Sequence, residues 1–394
     1  MAEEKGTASF AASEEALHAE ASEIAGYDDF GDPSYLEGLR ALLAALDEAK
    51  NLSDLGRMIL RRQITTSLAT RLRCEQRLKE HPEVVDLPVE RPIFITGLVR
   101  TGSTALHYLM GRDPGMQVLE YWLSAEPQPR PPVSEWADHP DYKAAAANLD
   151  FLYNTTPDLM AVHEMKAEWP EECGHILAQS FTDDRFECSA SLPGYCEWYH
   201  HTPHPGAYRR HRQMIQLVGS TSPDMRWLIK YPVHLRQLPA LFDAYPDACI
   251  VQTHRDPRTV LASYTSFLAR IRRMHEVEVD EALIAREQLE SWGVAADDGV
   301  AWRKEHGDGQ FYDLHFADFM ADPVGSVKRI YAHFDQTLSA EGETALRAWE
   351  AEHPQGKHGG HRYQHRDFGV SEAQILDRFE GYLDYFDMRP DAAG

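Results

Sequence analysis

The segment RPIFITGLVRTGSTALHYLM, residues 91–110, constrains the fold more than any other part of the chain. The run PIFIT (92–96) has the composition of a strand buried on both faces, and it stops at Gly97. A second glycine, Gly102, precedes Ser103, Thr104 and a stretch of helical spacing that runs to about Arg112. A strand, a glycine turn and a helix start, in that order, place several backbone N–H groups around one anion, with the helix dipole behind them. The glycines let the backbone approach the anion closely, and the two hydroxyls add donors at the helix start. A plain strand-to-helix turn is the alternative.

The rest of the chain repeats the strand–helix alternation. RWLIKYP (226–232) reads as a strand followed by the helix HLRQLPALFDAYP. ACIVQTHRDP (248–257) reads as a strand followed by RTVLASYTSFLARIRR. GQFYDLHFADFMADPVGSVKRIYAHF adds one more of each. Strands alternating with helices at this spacing predict an α/β fold, a phosphate-loop-like parallel sheet flanked by helices. Residues 1–90 carry apolar residues at helical spacing and no glycine-rich cluster, so they are expected as an N-terminal helical segment packing on a main domain of 91–394. Helices are also expected around 138–153, 170–180 and 205–218.

The loop differs from the nucleotide-binding pattern G-x-x-x-x-G-K-[ST] at one position: Ser103 stands where that pattern has lysine, and its only cation is Arg100. In nucleotidases the lysine works with Mg²⁺ on the β- and γ-phosphates, so its absence argues against ATP or GTP chemistry. In THRDPRTVLAS, Arg255 ends a strand and Ser263 lies eight residues further on in the next helix. Together they set a cation and a hydroxyl at the sheet edge where open α/β folds bind ligands. Asp256 could instead neutralise Arg255 or Arg258.

These elements together resemble the sulfotransferases that use 3′-phosphoadenosine 5′-phosphosulfate (PAPS), in particular bacterial members with loops like GLPRTGTTLLH. Here the loop is GLVRTGSTALH, with Val99 and Ser103 as departures, and WPEECGHIL (169–177), KYPVHL (230–235) and HRYQHRDFGVS (361–371) continue the likeness over about residues 30–388. The resemblance implies that Gly97, Arg100, Thr101, Gly102, Ser103 and Thr104 hold the 5′-phosphosulfate. It likewise implies that Arg255 and Ser263 hold the 3′-phosphate, and that Lys357, His361 and Arg362 close over it, although a solvated loop would explain the last three equally. Sulfuryl transfer from PAPS requires no γ-phosphate clamp and no metal, which accounts for the missing lysine.

Arg100 and Lys230 are the candidates to neutralise the leaving phosphate and the sulfonyl oxygens. The general base is expected to be His234, four residues after Lys230. Glu171, Glu172 and His175 form a rival set, and a Pro-Glu-Glu sequence is also ordinary chemistry for a helix start. His200, His201 and His204 do not make a metal site in sequence, because Pro203 and Pro205 interrupt the helix that would align them. The aromatic residues nearby, Tyr195, Trp198, Tyr199 and Tyr208, suit either an apolar acceptor pocket or the core.

Charge bounds the partners. With 39 basic and 63 acidic residues the chain has a formal charge of −24, whose field would repel nucleic acid and anionic membranes, while a small anion can still be met by a local cluster of cations. Five scattered cysteines without C-x-x-C spacing suggest a reduced, cytoplasmic protein, and no apolar run is long enough to span a bilayer. The expected function is transfer of a sulfuryl group from PAPS to a hydroxyl of a small, hydrophobic acceptor, with 3′-phosphoadenosine 5′-phosphate (PAP) as product. A metal-dependent nucleotide kinase and a non-catalytic nucleotide-binding protein are the alternatives.

Overall fold

The computed structural model describes residues 9–156, 164–353 and 368–388. At its centre is a five-stranded, fully parallel sheet: β1 (Ile93–Gly97), β2 (Met116–Val118), β3 (Arg226–Lys230), β4 (Cys249–His254) and β5 (Phe311–His315), in the spatial order β2-β3-β1-β4-β5. β1 is the middle strand, with Ile93 paired to Leu228 on one side and to Cys249 on the other. The chain leaves β1 toward both edges, so the crevice at its C-terminal end is the switch point where open α/β sheets bind ligands. Because all strands are parallel, the Gly97 loop, Lys230 and Arg255 emerge on the same edge.

Side chains alternate across β1 as a pleated strand requires. Ile93 and Ile95 face one core with Leu106, Met110, Val251 and Ile330, while Phe94 faces the other with Ile229, Leu235 and Ile250. Every residue of β1 is buried, which explains its unbroken apolar sequence.

Residues 9–90 hold three α-helices, in keeping with their helical spacing: α1 (Glu14–Ala25), α2 (Tyr35–Glu48) and α3 (Asp54–Glu80). They share a third core with Phe181, Phe186, Tyr195 and Tyr199 from the middle of the chain. Arg71 on α3 is buried and donates to the carbonyls of Phe30, Asp32 and Gln179, satisfying three backbone acceptors across that junction.

The helix after the glycine loop, α4, spans Ser103–Met110, and helices Pro140–Thr155 and Pro205–Gly219 fall where expected. The helix expected at 170–180 shrinks to Gly174–Ala178. The segment after β3 begins as a 3₁₀ turn, Pro232–Gln237, before the helix Leu238–Ala244. Elements that escape the sequence reading include β2, three residues long, the helix Glu281–His306, capped by Asp280 accepting from the Leu283 N–H, and the helix Ala340–Glu352. All five cysteines are free, and no helix among the described residues is long and apolar enough to cross a membrane.

Candidate active site

The glycine loop takes its shape from close packing of β1 on β4. Gly97 pairs with Thr253 and has φ 131°; a Cβ there would collide with the Thr253 carbonyl, so no other residue fits. Gly102, at φ 86°, caps α4, and a Cβ there would meet the Phe316 ring at 3.0 Å. Between them Arg100 is left-handed at φ 60°, an unusual conformation for a residue with a side chain. Thr101 pins the turn: its hydroxyl donates to the Leu98 carbonyl at 2.7 Å and shares a 2.6 Å bond with Thr253 Oγ1.

The two motifs read separately in the sequence meet at Arg100. Arg100 Nε donates to Ser263 Oγ at 3.2 Å, and Arg255 Nη1 donates to the Arg100 carbonyl at 3.0 Å. The Arg255 guanidinium lies 4.1 Å from the centre of the Phe316 ring. Asp256 does not neutralise Arg255: it caps the following helix through the Arg258 N–H and pairs with the Arg258 side chain. Burial and then the neighbouring Arg255 lower the pKa of Arg100, as expected of two cations set close together.

Beside the loop is a cavity of about 380 Å³. Arg100, Ser103 and Thr104 form its loop side; Glu171, Glu172 and His175 form a second side; and Tyr264, Phe267 and Ile271 of the helix Pro257–Arg272, with Met274 just beyond its end, form an apolar side. Arg255 and Ser263 stand behind Arg100, off this lining.

Lys230, 2% exposed at the end of β3, reaches the cavity edge from the neighbouring strand. Its ammonium donates to Thr104 Oγ1 at 3.0 Å and to the Glu172 carboxylate. An ammonium therefore does sit beside the phosphate-loop-like turn, supplied by β3 instead of by the loop itself. Glu172 is held by its own N–H donating to Glu171 Oε1 at 2.8 Å, and the segment is pinned by the Glu171 N–H on the Leu119 carbonyl. Burial, and then the charge on Glu172, raise the Glu171 pKa to about 7. His175 lies 3.3 Å from Ser124 Oγ, and burial followed by the Arg185 charge lowers its pKa to about 3, so it is neutral at physiological pH.

His234, expected as the base, does not line the cavity. Its ring is 0% exposed, with Nε2 3.2 Å from Cys173 Sγ and Nδ1 2.7 Å from the Tyr208 hydroxyl, and the Phe94 ring packs against it edge-on. A base must reach the proton it removes. The 3₁₀ turn Pro232–Gln237 carries His234 inward. Tyr195, Tyr199 and Tyr208 are core residues, not an acceptor pocket. Lys357, His361 and Arg362 lie outside the described residues.

Sequence reasoning missed an acidic part of the lining. Asp183 is fully buried and bonded to Arg185 Nε at 2.8 Å and to the Tyr231 hydroxyl at 3.1 Å, with Asp184 also bonded to Tyr231. Burial, and then Asp183, drive the Asp184 carboxyl well above the usual range. The signal available was the DDR triplet at 183–185. The apolar side had a clearer one, since Tyr264, Phe267, Ile271 and Met274 recur at helical spacing just after THRDP.

Residues 92–340 match a family model described as the sulfotransferase family. The chain is similar to the solved structure of sulfotransferase STF1 from Mycobacterium tuberculosis H37Rv, at 36% identity over 95% of this chain and 100% of that one, with a TM-score of 0.86. It is also similar to sulfotransferase STF9 from Mycobacterium avium, at 25% identity over 96% and 98% of the two chains, with a TM-score of 0.89. No curated protein matches.

Proposed function

The chain belongs to the sulfotransferase family, and on that premise we propose that it moves a sulfuryl group from PAPS to a hydroxyl of a small acceptor whose apolar body rests on the side formed by Tyr264, Phe267, Ile271 and Met274. The observation that carries the proposal is Lys230, which touches both Thr104 of the glycine loop and Glu172 across the cavity edge. One cation thereby joins the place suited to the leaving phosphate with a carboxylate able to take a proton.

In this reading the backbone N–H groups of residues 100–104 and the Ser103 and Thr104 hydroxyls receive the 5′-phosphosulfate, with the α4 dipole behind them. Arg255 and Ser263, clustered around Arg100, are the candidates for the 3′-phosphate, whose negative charge would relieve the close pairing of Arg100 with Arg255. Glu172 replaces His234 as the base. Its carboxylate accepts the acceptor's hydroxyl proton, the acceptor oxygen forms a bond to sulfur, and the bond from sulfur to the phosphate's bridging oxygen breaks. The electron pair remains on that oxygen, and PAP departs. Lys230 and Arg100 neutralise the charge that develops there; removing one such preorganised donor commonly costs about 10²–10³ in kcat. Glu171, protonated on the acidic side of pH 7, keeps a second negative charge away from Glu172.

The free cysteines are compatible with a reducing compartment, so we place the protein in the cytoplasm. Incubation with PAPS carrying labelled sulfur and a panel of alcohols and phenols tests the reading. Label should pass to a hydroxyl compound in the wild type and not in Lys230→Ala.

A further inference from the structure

His234 left the active site only to join a different cluster. Cys173 Sγ and one ring nitrogen from each of His211 and His234 lie within 4.8 Å of one another, and all three residues are 0% exposed. They come from three separate elements: the turn before Gly174, the helix Pro205–Gly219 and the 3₁₀ turn Pro232–Gln237.

The hydrogen bonds around the cluster are arranged in pairs. Tyr208 OH is 2.7 Å from His234 Nδ1, and Tyr245 OH is 2.7 Å from His211 Nδ1. Both imidazoles thus use Nδ1 on a tyrosine, which leaves Nε2 of each as the free ligand atom, and His234 Nε2 meets the thiol. Metal-bound histidines are oriented in this way, the outer nitrogen held by a polar partner and the inner one presented to the ion. The inner side is one partner short. The thiol has one hydrogen and sits 3.2 Å from His234 Nε2, while His211 Nε2 is buried without a hydrogen-bond partner among the described residues. An unpaired buried polar atom of this kind calls for an explanation.

We propose that Cys173, His211 and His234 bind one thiophilic, closed-shell cation. Metal–sulfur and metal–nitrogen bonds of about 2.0–2.3 Å place donor atoms roughly 3.4–3.8 Å apart, which the cluster reaches with small side-chain shifts. One thiolate and two neutral imidazoles leave a monovalent Cu(I) uncharged but leave Zn²⁺ with one net positive charge, a cost in a sealed site. The charge count therefore favours Cu(I), with Zn²⁺ as the second source of the same ligand chemistry. A second cluster, Glu187, Cys196 and His200, has less need of an ion: His200 Nε2 is 2.6 Å from Glu187, Cys196 donates to the same carboxylate, and Arg236 stands 3.9 Å away.

The ion would lie outside the transfer chemistry. Cys173 follows Glu172 directly and His234 lies four residues after Lys230, so it would tie together the two segments that carry those side chains. It is independent of which donor or acceptor the enzyme uses.

The test is the metal content of the full chain, expressed in copper-supplemented and in zinc-supplemented medium and purified without chelator. The wild type should hold about one equivalent of one of the two metals, and Cys173→Ser and His211→Gln should hold under about a tenth. X-ray absorption of the metal-bearing wild type should show one sulfur and two imidazole nitrogens in its inner shell, which decides the matter even if the variants fail to fold. Folded wild type with neither metal would overturn the proposal, as would an ion ligated by a carboxylate and a single imidazole.

Discussion

The Lys230 ammonium is bonded to the Glu172 carboxylate, 58 residues away in sequence, and the same ammonium donates to Thr104 at the start of α4. If Glu172 is the base, Glu172→Gln should lower kcat by about 10²–10⁴-fold on an alcohol acceptor while leaving the KM for PAPS nearly unchanged. Steady-state kinetics with folding checked by circular dichroism measures this, and near-normal turnover in a folded Glu172→Gln removes Glu172 from the role.

His234→Ala should behave oppositely. Deleting an imidazole packed between Cys173, Tyr208 and Phe94 leaves a cavity and an unpaired tyrosine hydroxyl, so stability should fall by about 2–4 kcal/mol. Denaturant titration reads the loss; the fraction that remains folded should turn over at a rate much closer to the wild type than Glu172→Gln does.

Arg255→Ala should act mainly on binding. Its guanidinium supports the Arg100 carbonyl and adds positive charge behind the loop, contacts that ground and transition states share. The KM for PAPS should rise with kcat less affected, whereas Arg100→Ala and Lys230→Ala should mainly reduce kcat. An unchanged KM in Arg255→Ala would show that the 3′-phosphate is held elsewhere.

Stability should carry the mark of Glu171. Its pKa rises from 4.5 to about 7 on folding, so between those values the folded chain binds more protons than the unfolded one. Its contribution is therefore fully present below pH 4.5 and is lost as the pH rises toward 7, with a slope of at most about 1.4 kcal/mol per pH unit. Glu171→Gln should flatten that part of the stability–pH curve; an identical slope in wild type and variant would contradict the assignment.

The sheet was legible because β1 is an apolar run stopped by glycine, β3 and β4 each hold an apolar stretch (Trp227–Ile229, Cys249–Val251) that ends in polar residues and a turn, and the turn at Gly97 has only one residue type that fits beside Thr253. β2 was not, because three residues show no periodicity, and the helix Glu281–His306 has a mixed surface that reads as neither face nor core. The site residues at strand ends, Arg100, Lys230 and Arg255, could be named from sequence because a parallel sheet sends its strand ends to one edge. His234 could not be placed, since whether a residue four positions beyond a strand faces the cavity depends on the turn, and the 3₁₀ turn Pro232–Gln237 carries it inward. The meeting of Arg255 with Arg100 and of Lys230 with Glu172 is tertiary, and no spacing in the chain encodes it.

The nucleotide bound at the Gly97 loop distinguishes a sulfuryl-transfer site from a kinase-like one, and ligand-induced thermal stabilisation measures it directly. PAP without added metal should raise the melting temperature, with about 2.7 kcal/mol of stabilisation at 100 times its Kd, and ATP with Mg²⁺ should leave it nearly unchanged. Equal shifts with PAP and Mg-ATP, or a shift with Mg-ATP alone, would contradict the account.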